Sequence, residues 1–208
     1  SNPIDSLGAY TFKGLTSLRE LMLNDCQIGH LDLFAFSGLV NLEVLELANN
    51  QLTTIDSSLF YGLSKLHKLT LYDNRLTTIT SATFSGLTSL RSLHLFRNKI
   101  STVAKGAFKS MRNLHSLYLS SNQIGSLDSD MFIGLTSLRE LTLSSNRISS
   151  IGSSTFHMMY DLEELQLDNN RLTALDHSTF NVLTNLRVLY LNSNQKESIR
   201  TYTYKRVT

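Results

Sequence analysis

The chain has 208 residues, 41% of them apolar, with 19 basic against 17 acidic side chains and a net charge of +2. That apolar share is ample for a core, and the apolar runs are far too short for a membrane-spanning helix. A single cysteine excludes both a disulfide framework and a cysteine-rich zinc site.

Leucine is the outlier, with 39 copies. Residues 1–17 open without the charged-then-apolar pattern of a secretory leader. They place Asn2, Ile4, Leu7, Phe12 and Leu15 at spacings that gain meaning only from the repeats beyond residue 17. From residue 18 to residue 195 the chain repeats every 24 residues, with no insertion or deletion. Leu18, Leu42, Leu66 and so on to Leu186 form one ladder; Leu21 to Leu189 and Leu23 to Leu191 form two more. An asparagine ladder runs from Asn50 to Asn194, with Cys26 in its first slot. Two residues later an isoleucine or leucine recurs, from Ile28 to Leu172, and three after that another aliphatic residue, from Leu31 to Ile199. Phenylalanine closes the unit from Phe12 to Phe180, taking eight of the ten phenylalanines. Residues 1–17 then read as the second half of a repeat whose strand half is absent.

A fixed period of this length means a solenoid, in which each unit buries its apolar face only against its neighbours. Within L-x-x-L-x-L the last two leucines alternate with polar residues, as in a half-buried strand. Stacked units place eight such strands in one parallel sheet on the order of 35 Å across. Asparagine carries both a donor and an acceptor and can satisfy backbone groups where the chain leaves the strand. Phenylalanine fills the far side of each coil, and Cys26 reads as a buried structural thiol. Residues 196–208 break phase at Lys196 and rejoin it at Ile199, Tyr204 and Val207; their charges read as a polar C-terminal cap.

The unit L-x-x-L-x-L-x-x-N-x-[IL]-x-x-[LIV]-x-x-x-x-F-x-x-L-x-x resembles the leucine-rich-repeat family in its 24-residue extracellular form. That resemblance implies an α/β repeat solenoid: a horseshoe with a concave parallel sheet of about eight strands and a convex side of loops and 3-10 turns. Segments such as FSGLTSLRSLHLFRNKI and FIGLTSLRELTLSSNRI are similar to those of variable lymphocyte receptors and Toll-type ectodomains. This implies a non-catalytic recognition module, extracellular or at the cell surface, binding a protein antigen or a bacterial surface glycan or glycolipid. The disulfide-bonded caps of both groups have no counterpart here. The alternative is a matrix or adhesion protein that binds a host protein or itself, through open ends or the concave face. A designed repeat scaffold is a third possibility, against which the aromatic and charge irregularities weigh.

With the ladders set aside, recognition falls to the solvent-facing strand positions. Tyr72 and Phe96 share a slot on adjacent strands, and His94 and Tyr118 share the next, which predicts one aromatic cluster on the concave face. Aromatic side chains on a rigid surface are typical binding anchors. His67, Lys68, Asp73, Arg91 and Arg97 surround that cluster and complete the candidate site. Residues 65–112 hold nine basic side chains and one acid, Asp73, between acidic flanks. This favours anionic or polar ligands locally, while the flanks argue against nucleic acid, which needs a continuous basic track. The six histidines (His30, His67, His94, His115, His157 and His177) lack metal-ligand spacing. No phosphate loop or serine nucleophile elbow occurs, so no cofactor or catalytic residue is expected. No N-x-[ST] sequon is present.

Overall fold

A computed structural model describes residues 3–176 and 178–195. The expectations for Asn2, His177 and the 196–208 tail, with Ile199, lie outside these residues. Eight three-residue strands form one parallel sheet in chain order. They are β1 (Glu20–Met22), β2 (Val44–Glu46), β3 (Lys68–Thr70), β4 (Ser92–His94), β5 (Ser116–Tyr118), β6 (Glu140–Thr142), β7 (Glu164–Gln166) and β8 (Val188–Tyr190). The register is the sequence period itself: Leu45 pairs with Leu69, Leu69 with Leu93, and Leu93 with Leu117. A slip of one residue would turn these leucines into solvent, so the hydrophobic pattern fixes the pairing. The central leucines from Leu45 to Leu165 are fully buried, while Leu21 and Leu189 at the two edges are only partly covered.

Away from the sheet the coil runs through consecutive turns. Leu39 donates to the Phe36 carbonyl at 3.3 Å and Leu42 to the Leu39 carbonyl at 3.0 Å, single turns of 3-10 type. No helix is assigned among the described residues, so the helical part of the expected α/β class is reduced to these turns. Three short parallel ladders flank the main sheet: Ser6–Leu7 with His30–Leu31, Thr78–Ile79 with Thr102–Val103, and Ser126–Leu127 with Ser150–Ile151. The phenylalanines form a stacked spine along the far side, with ring centroids 6.2 Å apart from Phe60 to Phe84, Phe84 to Phe108 and Phe108 to Phe132.

Asn98 illustrates how the asparagine ladder works. Its Nδ2 donates to the carbonyls of Leu71 (2.9 Å) and Leu95 (3.1 Å), and its Oδ1 accepts the Leu76 amide (3.0 Å). The side chain therefore ties two coils together with bonds that no strand partner supplies, and it is 8% exposed. Cys26 keeps half of this function. Its thiol donates to the Asn24 carbonyl at 3.3 Å, but sulfur offers no strong acceptor. The amide of Ile4, in the position that an asparagine Oδ1 would serve, bonds the Cys26 backbone carbonyl at 2.8 Å instead.

The residue before each asparagine, or before Cys26, is left-handed, with φ between 52° and 58° at Asp25, Asn49, Asp73, Arg97, Ser121, Ser145, Asn169 and Ser193. The chain must turn sharply inward there, and short polar side chains tolerate that conformation best. Arg97 is the exception in the row, since it has no short side chain to bond its own backbone.

Candidate concave binding surface

Four of the nine candidate residues form one continuous ring cluster. Tyr72 and Phe96 stack with centroids 4.4 Å apart and planes 6° from parallel. His94 lies 4.6 Å from the Tyr118 ring and meets the Phe96 ring edge-on at 6.4 Å. Strand pairing sets this arrangement, because Thr70, His94 and Tyr118 are direct register partners across β3, β4 and β5.

The cluster is anchored by polar contacts at its margins. Tyr118 donates its hydroxyl to Glu140 Oε2 at 2.6 Å, and His94 Nε2 lies 2.8 Å from Ser92 Oγ. Burial, reinforced by the neighbouring Lys68 charge, pulls the His94 imidazole down to about 4, against an upward pull from Glu46. His94 is therefore neutral at physiological pH and acts as an aromatic ring. Burial and the bond to Glu140 raise the Tyr118 hydroxyl above its ordinary value.

The charged candidates divide into paired and unpaired groups. Lys68 Nζ binds Glu46 Oε1 at 2.8 Å, while Asn24 Nδ2 holds the other oxygen at 2.7 Å. The Lys68 bond is the main reason the Glu46 carboxyl titrates below its ordinary value. Arg97 lies 3.6 Å from Asp73. Arg19 bridges Glu43 at 3.1 Å, and Arg187 reaches Glu163 at 3.2 Å. Arg91 is exposed and makes no ion pair among the described residues; its amide and the His115 amide extend the backbone ladder from half-buried His67. The basic band of residues 65–112 is thus weaker than its sequence charge, because Lys68 and Lys105 take partners from outside it, Glu46 and Asp130.

Sequence reasoning missed the partners Asn24, Glu46, Ser92 and Glu140. The signal was present as an offset of 22 rather than 24. Asn24 with Glu46, Glu46 with Lys68, and Tyr118 with Glu140 each step one coil forward and two residues back. This is the diagonal neighbour of a parallel sheet. Also missed was Thr70, the register partner of His94 and only 3% exposed, whose Oγ1 has no partner among the described residues. No group of three or more His, Cys, Asp or Glu side chains is placed to hold a metal ion among the described residues. A shallow groove lies elsewhere, lined by His30, Asp32, Leu33, Phe34 and Asp56. No helix among the described residues is long and apolar enough to cross a membrane.

A leucine-rich-repeat family model matches residues 1–52, 40–100, 88–148 and 160–203. No curated protein matches the chain. Among solved structures, the complex of TLR13 with ssRNA13 superposes with a TM-score of 0.79 at 32% identity, covering 89% of this chain and 30% of that one. A leucine-rich-repeat protein of Leptospira interrogans gives 0.76 at 30% identity, covering 86% and 44%. Toll in the Drosophila Toll–Spatzle complex gives 0.88 at 25% identity, covering 95% and 27%. The chain spans less than half the length of each. Because the family model accounts for most of the residues, and the leucine, asparagine and phenylalanine ladders recur along the coils, the chain belongs to the leucine-rich-repeat family.

Proposed function

We propose that this chain is a non-catalytic recognition module that binds a macromolecule across its concave sheet, as variable lymphocyte receptors do, with a protein antigen or microbial surface component as ligand. The observation that carries this reading is the four-ring cluster of Tyr72, His94, Phe96 and Tyr118. It is pre-organised by strand register. Rings already fixed in place lose little entropy on binding, and such anchors dominate interface energies. The likeness to Toll-type structures, two of which are complexes with an RNA and with a protein, supports ligand recognition as the role. It also supports an extracellular or luminal setting.

The test is binding of the labelled protein to intact bacteria, to their isolated glycolipids and to a displayed protein library. It is repeated with the triple variant Tyr72→Ala, Phe96→Ala, Arg97→Glu. Loss of two ring anchors at about 2 kcal/mol each predicts at least a hundredfold weaker binding. A triple variant that binds as well as the parent, while keeping its circular dichroism, removes the concave site.

A further inference from the structure

One row of the solenoid outside the concave site contains only long hydrogen-bond donors. The residue directly after each asparagine, or after Cys26, is Gln27, Gln51, Arg75, Lys99, Gln123, Arg147, Arg171 or Gln195. No acid interrupts it. A dedicated backbone ladder keeps the row straight: the Arg75 amide donates to Leu52, Lys99 to Leu76, Gln123 to Ile100, Arg147 to Ile124 and Arg171 to Ile148, all at 2.8–3.0 Å. The four cations are exposed, and none makes an ion pair or side-chain hydrogen bond among the described residues. The contrast with the concave face is informative, because Arg19, Arg97, Arg139 and Arg187 there each face a carboxylate within 4 Å.

With about 4.8 Å between coils, Arg75 to Arg171 spans about 19 Å, with the uncharged donor Gln123 at its centre. Alongside, two residues further on, lie the exposed hydroxyl residues Thr77, Ser101 and Ser149. Asp73, the acid two residues before Arg75, faces Arg97. We propose that this flank binds a linear anionic polysaccharide laid across the coils. The chemistry is specific to that form. A single file of cations matches a single charged chain, whereas an anionic membrane calls for a broad basic patch. The rows on this side of the cations carry hydroxyls and no aromatic ring for bases to stack on, which disfavours single-stranded nucleic acid.

The test measures fluorescence anisotropy with labelled heparin, a linear sulfated polysaccharide, in 50 mM NaCl. A 24-base-pair DNA duplex and phosphatidylserine vesicles serve as competing polyanions. Replacing Arg75, Lys99, Arg147 and Arg171 by glutamine, the row's own uncharged residue, is expected to weaken heparin binding at least tenfold. Replacing Lys13, Lys65, Lys109 and Arg112 by glutamine removes the same charge from other faces and is expected to change it less than twofold. Equal weakening by the two sets means that net charge alone binds heparin, and overturns the proposal. So does tighter binding of duplex or vesicles than of heparin, or no heparin binding by the parent. The concave double variant Tyr72→Ala, Phe96→Ala is expected to keep full heparin affinity; if it loses it, the polysaccharide sits on the concave face and the flank assignment falls. Failure of the concave reading leaves the flank result untouched.

Discussion

Replacing Asn98 by alanine tests the central claim about how the coils are joined. The substitution orphans the Leu76 amide, whose partner is Asn98 Oδ1, and takes one of two asparagine donors from each of the Leu71 and Leu95 carbonyls, which keep Asn74 and Asn122. A buried unpaired polar group costs about 1–3 kcal/mol, with carbonyls toward the lower end. One orphaned amide, with two carbonyls each reduced to a single donor, sums to roughly 2–4 kcal/mol. Asn194 makes the same contacts, to Leu167, Leu191 and the Leu172 amide, but is only part-buried, so water can replace part of what is lost. Asn194→Ala is therefore expected to cost only about 1 kcal/mol. Asn98→Cys keeps a donor, as Cys26 does, and falls between the two. Urea unfolding followed by circular dichroism reads all three. Stability in a solenoid is a sum over neighbours, so the central lesion is also expected to broaden or split the transition. If Asn98→Ala costs under about 1 kcal/mol, or no more than Asn194→Ala, the ladder is not what joins the coils.

Three further outcomes rest on local geometry. Gly134→Ala places a Cβ 2.6 Å from the Lys109 carbonyl oxygen at φ +98°, whereas Gly86→Ala at φ +90° meets nothing within 4 Å. The first is expected to lower the melting midpoint by several degrees more than the second, which carries only the left-handed penalty of about 1 kcal/mol. Arg97→Asn replaces a long side chain at φ 52° with one suited to that conformation, so stability is expected to rise by about 0.5 kcal/mol while concave binding falls. A variant that loses stability and keeps binding contradicts both halves. The His94 imidazole is held neutral in the folded chain, down to about 4, so the unfolded chain takes up its proton first as pH falls. Its neutral form stabilises the fold above the unfolded value near 6.5, and that contribution is progressively lost between pH 6.5 and 4. An NMR titration of His94 with a midpoint above about 6 refutes the burial argument, and His94→Gln is expected to flatten stability against pH in that window.

The architecture was legible because a 24-residue period leaves no freedom in register: once Leu45 pairs with Leu69, every other ladder follows. The aromatic cluster was legible for the same reason, since shared slots become adjacent rings. What escaped the sequence reading obeys a different geometry. The bonds from Glu46 to Lys68 and from Tyr118 to Glu140 run diagonally, so a search along a single column passes them by. The cation row after the asparagines was hidden by counting charge along the chain, because its members lie in coils whose net charges differ in sign. The left-handed row was hidden because Arg97 does not have the composition that such positions favour.

The placement of the aromatic cluster follows from the same additive energetics that hold the solenoid together. Among the described residues β1 and β8 are the outermost strands of the sheet, and Leu21 and Leu189 there are only partly covered. Coils three to five have full neighbours on both sides, with Leu69, Leu93 and Leu117 completely buried beneath the rings. A ligand bound there works against the most rigid part of the sheet, so ordering the platform consumes little of its binding energy. The same four rings moved to β1 or β8 would keep their area but rest on leucines that are only partly covered. Deleting the β8 coil is accordingly expected to lower overall stability while leaving concave affinity within twofold, measured by calorimetry against whichever ligand the library yields. A larger loss would mean that the ligand reaches the acidic strands, β6 and β7, and that the rings are one part of a wider site.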